Sequence, residues 1–295
     1  MAEGKAAPAA TGTTVPVPTQ QLIYKTAVPV NSGRHGKSSV EVGADYSFAR
    51  SVNSLPLMAV EFPQATPDYA IVFAGSSEAV MPAVILGARG NENLYLAKSG
   101  EWQAKYVPAF ARRYPFIFSG SEDGKTFTLC IDEGFSGFNK EGRGQRLFTD
   151  DGKPTPYVDG VLKFLQEYRT QFLRTQAFCK KLIELKLLEP MQAQFTLGSG
   201  EKMSLSGFMV VDRKKLNSLP GDVLAEMAKT DQLELLYLHL QSMRNFASVK
   251  DRLVQIQGGK GNGSGKAEAE ELSAKDSEAK AKTAGGRGSK RAKSE

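Results

Sequence analysis

Residues 157–183 read YVDGVLKFLQEYRTQFLRTQAFCKKLI. Val158, Val161, Leu162, Leu165, Tyr168, Phe172, Leu173, Leu182 and Ile183 recur at intervals of three and four, the period that gathers apolar side chains on one face of a helix. The spacing predicts an amphipathic helix of about 30 residues, ending before Pro190, where a ring without an N–H cannot continue the ladder. N-terminal to this stretch the pattern changes. Tyr69-Ala-Ile-Val-Phe73 and Ala83-Val-Ile-Leu86 are short apolar runs suited to buried strands. Phe116-Ile-Phe118 and Phe127-Thr-Leu-Cys-Ile131 follow, joined across Ser121-Glu-Asp-Gly-Lys125 by a hairpin turn with Gly124 at the permissive position. Prolines at 56, 63, 67, 82, 108 and 115 exclude long helices from this half.

Beyond the long helix, Gln194-Phe-Thr-Leu197 and Lys202-Met-Ser-Leu205 flank Gly198-Ser-Gly200, a second hairpin, whose return strand extends through Phe208-Met-Val-Val211. Pro220 opens a helix carrying Val223, Leu224 and Met227. A last helix carries Leu235, Leu236, Leu238, His239, Met243 and Phe246, preceded by Asp231 and Glu234 at capping-box spacing. The fold class that follows is α+β. Residues 22–151 form a mostly antiparallel β half, residues 152–257 a half of helices plus a β-hairpin, and the two make one core. Residues 1–21 and 258–295 are rich in Ala, Gly, Lys, Glu, Thr and Pro and hold almost no large apolar residues, so both ends are expected to be disordered.

The net charge of +6 suggests nucleic acid at first sight. From Gly258 onward there are nine Lys and Arg against six Asp and Glu; the remaining 257 residues hold 29 against 26. That balance is an ordinary surface and argues against nucleic acid binding by the core. Two cysteines, Cys130 and Cys179, are too few for a disulfide framework and sit in apolar contexts, as small buried hydrophobes. No window approaches the roughly 18 consecutive apolar residues of a membrane span. No apolar stretch of signal-peptide type follows the first charges, so a cytoplasmic location is expected, with the cell surface, reached by a non-classical export route, as the alternative.

Several motifs fail on inspection. A P-loop ending at Gly265-Lys266 lacks its first glycine, where Lys260 stands, and its Ser or Thr, where Ala267 stands. Gly75-Ser-Ser-Glu-Ala79 and Gly134-Phe-Ser-Gly-Phe138 lack the last glycine of a nucleophile elbow. Two histidines, His35 and His239, with two distant cysteines do not make a zinc site, so no metal and no cofactor are expected. A Cys130–His239 nucleophilic pair stays open, although a single histidine in Leu-Tyr-Leu-His-Leu reads more simply as a hydrogen-bonded core residue. Asp132 and Glu133 follow a strand directly; adjacent strand residues face opposite ways, so they converge only if the strand has ended. Arg112 and Arg113, beside Tyr114, suit an anionic ligand or pair with Asp132 or Glu133. Arg89 stands in a polar turn. The pocket candidates are therefore Arg89, Arg112, Arg113, Asp132, Glu133 and His239.

The order of segments carries a further signal. Asp45-Tyr-Ser-Phe-Ala49, Asn53-Ser-Leu-Pro-Leu57 and Glu61-Phe-Pro63 lead into Glu92-Asn-Leu94 and then Tyr106-Val-Pro-Ala-Phe110 with Arg113-Tyr-Pro-Phe116. Leu129-Cys-Ile-Asp-Glu133, Leu147-Phe148 with Asp151-Gly152, Leu187-Leu-Glu-Pro-Met191, Gly207-Phe-Met-Val-Val-Asp212 and Leu236-Tyr-Leu-His-Leu240 continue the series. Over residues 22–250 this order resembles the SapC family of bacterial surface-layer loci, a family distinct from the peptide-transporter permease that shares the name. The departures are Gln232-Leu233, where that family usually carries a Trp-Leu pair, and the tail. The resemblance implies a setting near surface-layer or outer-membrane nutrient systems, in the company of cupin-like proteins, flavin-dependent tryptophan-halogenase-like proteins and TonB-dependent receptors. It implies no catalytic residue. The first reading is thus a non-catalytic accessory or interaction protein with a protein partner. The alternatives are an enzyme or small-molecule binder with a pocket around Arg112 and Asp132, and contact with nucleic acid or an anionic surface through the basic tail.

Overall fold

The computed structural model describes residues 11–14, 22–76, 79–121, 125–197 and 200–258. Strand β1 (Thr11–Thr14), β2 (Ala27–Pro29), the one-turn helix α1 (Ser32–His35) and β3 (Ser39–Val40) come first. They are followed by β4 (Ser54–Pro56), α2 (Phe62–Ala65), β5 (Ile71–Gly75), β6 (Val80–Ile85) and α3 (Ala109–Arg112). Next are β7 (Phe116–Gly120), β8 (Phe127–Asp132), β9 (Phe138–Asn139), β10 (Gln145–Arg146) and the long helix α4 (Pro156–Glu184). The hairpin β11 (Leu188–Thr196) and β12 (Lys202–Val211) leads to α5 (Arg213–Asn217), α6 (Gly221–Lys229), α7 (Gln232–Ser242) and α8 (Phe246–Gly258). The fold is α+β with antiparallel sheets, as the period change at residue 157 requires.

Helix α4 runs 29 residues. Pro156 stands in its first turn, where a missing N–H costs nothing. At its end Lys186 adopts φ 52, and the Leu187 N–H reaches back to the Leu182 carbonyl at 3.0 Å, so the chain turns out before Pro190. Pro190 then lies in β11, which among the described residues pairs only with β12 and so keeps its missing donor on an edge.

The β half is not one sheet. β4, β6, β5 and β12 form the spine of the main sheet, with β11 and β1 both alongside β12. β2, β8 and β7 form a second sheet, and β10, β3 and β9 a third. All pairings are antiparallel except β1 on β12. That exception corrects part of the disordered lead: Thr11–Thr14 lie in parallel register with Met203–Ser206. β12 outruns β5, which reaches only Phe208 and Met209, so its next backbone groups need another partner. The rest of residues 1–21, the basic tail beyond residue 258, and turn residues 122–124 and 198–199 lie outside the described residues. Asp231 corrects the capping box; it takes φ 58 and its side chain makes no cap bond, because the chain turns sharply between α6 and α7.

The described residues up to Val254 form one compact unit. Two apolar clusters fill it. The larger packs the main sheet against α4, α7 and α8, with Phe62, Tyr69, Phe73, Phe178, Leu182 and Leu236 inside. The smaller joins the two minor sheets through Val40, Phe116, Ile131, Leu147 and Phe148, closed by Val158 and Leu165. Helix α4 thus inserts its first turns into one cluster and its last turns into the other.

Candidate functional site

Three segments meet over the smaller cluster: the loop after β3, the turn from α3 into β7, and the first turns of α4. They enclose a cleft of about 700 Å³. Its walls are Tyr46, Phe48, Tyr114, Phe116, Phe135, Tyr157 and Phe164, with Val42, Gly160 and Val161 between them and Asp45, Arg112 and Arg113 as its charged residues. Phe48 and Tyr114 lie 4.2 Å apart between ring centroids, and Phe135 meets Tyr114 edge-on at 5.4 Å. Such pairs hold one another in orientation.

Each wall has a structural support. The loop is held by the Tyr46 N–H on the Gly100 carbonyl at 2.8 Å and by the Ser47 N–H on Asp45 Oδ1 at 2.8 Å. These Ser47 contacts hold the Asp45 carboxyl below its ordinary range. Gly100 has φ 90 and abuts Asp45 and Ser47 so closely that a Cβ has no room. Trp102 donates its indole N–H to the Tyr69 hydroxyl at 2.6 Å and meets Tyr46 edge-on at 5.6 Å, bracing the loop from inside. Glu61 anchors α3. Its Oε1 accepts the Ala109 N–H at 2.8 Å and the Tyr106 hydroxyl at 2.7 Å, and its Oε2 accepts the Met58 N–H at 2.7 Å. Burial pushes its carboxyl up, against the pull of those bonds.

The sequence candidates are dispersed. Arg112 and Arg113 share the cleft but differ in kind. Arg112 is exposed, with its guanidinium 5.6 Å from the Tyr106 centroid and 5.5 Å from that of Phe164; Nε donates to the Val107 carbonyl at 3.0 Å and Nη2 to the Tyr106 hydroxyl at 3.2 Å. Arg113 is buried, caged by the rings of Tyr24, Phe110 and Tyr168 at 5.5, 4.3 and 4.7 Å. Asp132 does not line the cleft. It is fully buried behind Tyr114, whose hydroxyl is 3.3 Å from Oδ2, and it accepts the N–H groups of Lys25 (2.7 Å), Thr26 (3.3 Å) and Gly134 (3.0 Å). The strand ends at Asp132, yet the two carboxylates still diverge. Glu133 turns outward, where Arg34 grips it at 2.7 and 2.6 Å and His35 Nε2 lies 3.1 Å away. The Arg34 guanidinium holds the Glu133 carboxyl low.

Arg89 pairs with Glu92 at 3.2 Å and Glu201 at 3.8 Å, tying a turn to the β11–β12 hairpin outside the cleft. His239 lies in the main core. Its Nδ1–H donates to the Ile71 carbonyl at 2.8 Å and its Nε2 accepts the Val211 N–H at 3.0 Å, so both nitrogens join α7 to the sheet. Burial lowers its pKa to about 4. With both nitrogens engaged, His239 has none left to serve Cys130 as a base. Both cysteines are buried and unlinked, and burial raises both thiols, Cys179 to about 12. Among the described residues no cluster of His, Cys, Asp and Glu is arranged to hold a metal, and no helix is long and apolar enough to cross a membrane.

Apart from Tyr114, the aromatic walls escaped the sequence reading, as did the role of Glu61. One trace was available. Tyr157, Gly160, Val161 and Phe164 form a stripe on α4 beside the core stripe of Val158 and Leu165.

Fold and cleft together define an α+β protein with an aromatic-walled cleft supported by buried polar groups. The SapC family model matches residues 30–249, and the chain belongs to that family. No curated protein and no solved structure matches it.

Proposed function

We propose that the chain is a non-catalytic accessory or interaction protein that binds through the aromatic cleft and serves a bacterial surface-layer or outer-membrane nutrient-uptake system. The observation that carries this reading is the division of labour among its polar groups. Asp132, Glu61 and His239, the residues best suited to acid–base work, are each saturated by backbone or hydroxyl partners, while the rings and Arg112 face open space. Such a surface binds more readily than it transforms. The setting is supported by the company that relatives keep, as the resemblance implies, and includes a cytoplasmic location, with the cell surface as the alternative.

An enzymatic reading has one specific observation in its favour. Glu61, raised by burial, lines a smaller cavity of about 270 Å³ that shares Arg112 and Phe164 with the cleft.

The test is retention from native lysate by the full-length protein and by its Phe135→Ala/Tyr157→Ala variant, with bound proteins and small molecules both identified by mass spectrometry. A companion retained by the wild type and lost from the folded variant supports the reading. Equal retention by both removes the cleft from it, and turnover of the retained compound replaces it with the enzymatic one.

A further inference from the structure

The cleft is chemically lopsided. Its walls are rings, and of the two exposed charged residues that line it, Asp45 is held by the Ser47 N–H while the Arg112 guanidinium has donors to spare. Arg112 commits its Nε–H to the Val107 carbonyl and one Nη2–H to the Tyr106 hydroxyl. The planar group has five N–H donors, so both on Nη1 and the second on Nη2 remain uncommitted among the described residues. None of the ion pairs among those residues uses Arg112. The Glu61 carboxylate acts on it only from a distance and is already satisfied by three donors. The rings of Tyr106 and Phe164 hold the guanidinium in place, so little freedom is lost when it grips a ligand.

We propose that the cleft takes a planar aromatic carboxylate, its ring system between Phe48, Tyr114, Phe135 and Phe164 and its carboxylate on Arg112. This rests on the binding reading above and adds the ligand's chemistry. Ring on ring supplies the apolar contact and fixes the ligand's plane. A carboxylate matches the open side of the guanidinium with two parallel N–H···O bonds, which a hydroxyl or an amide cannot do. Tyr157 adds a donor. Its hydroxyl has no partner among the described residues, and burial pushes its pKa up to about 12, so it keeps its proton at neutral pH. Arg113, buried at the cleft's inner side between the rings of Phe110 and Tyr168, lends positive potential. Asp45 lines the same cleft and remains charged, which selects against a second anionic group on the ligand. At about 700 Å³ the cleft exceeds a single ring and suits a fused bicyclic acid.

The experiment is titration calorimetry of the full-length protein with naphthalene-2-carboxylate, its neutral counterpart 2-naphthylmethanol, and cyclohexanecarboxylate. The expected order is the aromatic acid first, with at least tenfold weaker binding of each of the other two. Arg112→Met should weaken the aromatic acid at least tenfold and leave the neutral naphthyl probe within twofold. Arg112→Lys, which keeps the charge and loses the fork, should fall between. Tyr157→Phe should cost the acid several-fold. Thermal unfolding of each variant confirms that it is folded, and Arg112→Lys guards against a packing effect of the methionine. If the neutral probe binds as tightly as the acid, or Arg112→Met binds the acid as well as the wild type, the carboxylate assignment falls while the binding cleft stands. If the cleft retains a companion from lysate yet none of the three probes binds, the ligand class is wrong. If neither occurs, the binding reading itself fails.

Discussion

At the level of single residues, His239 makes the sharpest statement. It replaces two missing backbone partners in the core, one on β5 and one on β12. His239→Leu leaves both unsatisfied and is expected to cost about 3 kcal/mol or more of stability, measured by urea unfolding. Its titration has a definite sign. The folded pKa lies near 4 against 6.5 when unfolded, so below pH 6.5 the unfolded state binds the extra proton. The contribution is complete above pH 6.5 and drains away as the pH falls toward 4. Between pH 7 and pH 5 the wild type should lose roughly 2 kcal/mol more than a His239→Gln variant. Equal losses in both would contradict the assignment. The sequence made His239 legible as a core residue, because an imidazole amid leucines on a helix must find partners or unfold the helix. Arg112 and Arg113 were legible only as a pair. One helical step separates an exposed guanidinium from a buried one, and composition cannot say which is which. Asp132 and Glu133 pose the same difficulty at a strand end.

Among the elements, α4 was legible nearly to its ends because 29 residues of one period leave little choice. Its second stripe was obscure because half a helix facing an open cleft has the same rings as half a helix facing a core. Gly160 belongs to that stripe. A glycine in mid-helix is unfavourable, and a Cβ there meets nothing within 4 Å. Gly160→Ala should therefore raise stability by about 0.5–1 kcal/mol. Gly160→Leu should fill the cleft and abolish binding of the naphthoate probe while leaving unfolding cooperative. Thr175, about three turns beyond Phe164 on nearly the same face, accepts the buried Ala59 N–H at 2.9 Å and donates to the Gln171 carbonyl at 2.7 Å. Thr175→Val keeps the shape and strands that N–H, an expected loss of about 1–3 kcal/mol seen as a lower urea midpoint at unchanged slope. The short strands β2, β3, β9 and β10 could not be foreseen. Two or three residues carry no period, and their pairing is decided by partners roughly a hundred positions away.

Across the whole molecule, α4 threads both apolar clusters, so neither half can let go alone. Unfolding of residues 22–257 is expected as one transition, coincident by far- and near-ultraviolet circular dichroism; two separated midpoints would show the clusters to be independent. The same truncation removes β1 and bares the edge of β12 at Met203–Ser206. Light scattering should then show self-association that the full chain resists, since an open strand edge seeks another strand. Trp102 has a consequence of its own. It is the chain's one tryptophan, sealed in the interior, bonded to Tyr69 and touching the back of Tyr46. Any occupant that shifts the Tyr46 ring changes the surroundings of that indole. The protein therefore carries an intrinsic fluorophore at the rear wall of its cleft, and its unlabelled emission can report the loop's movements on the timescale of mixing.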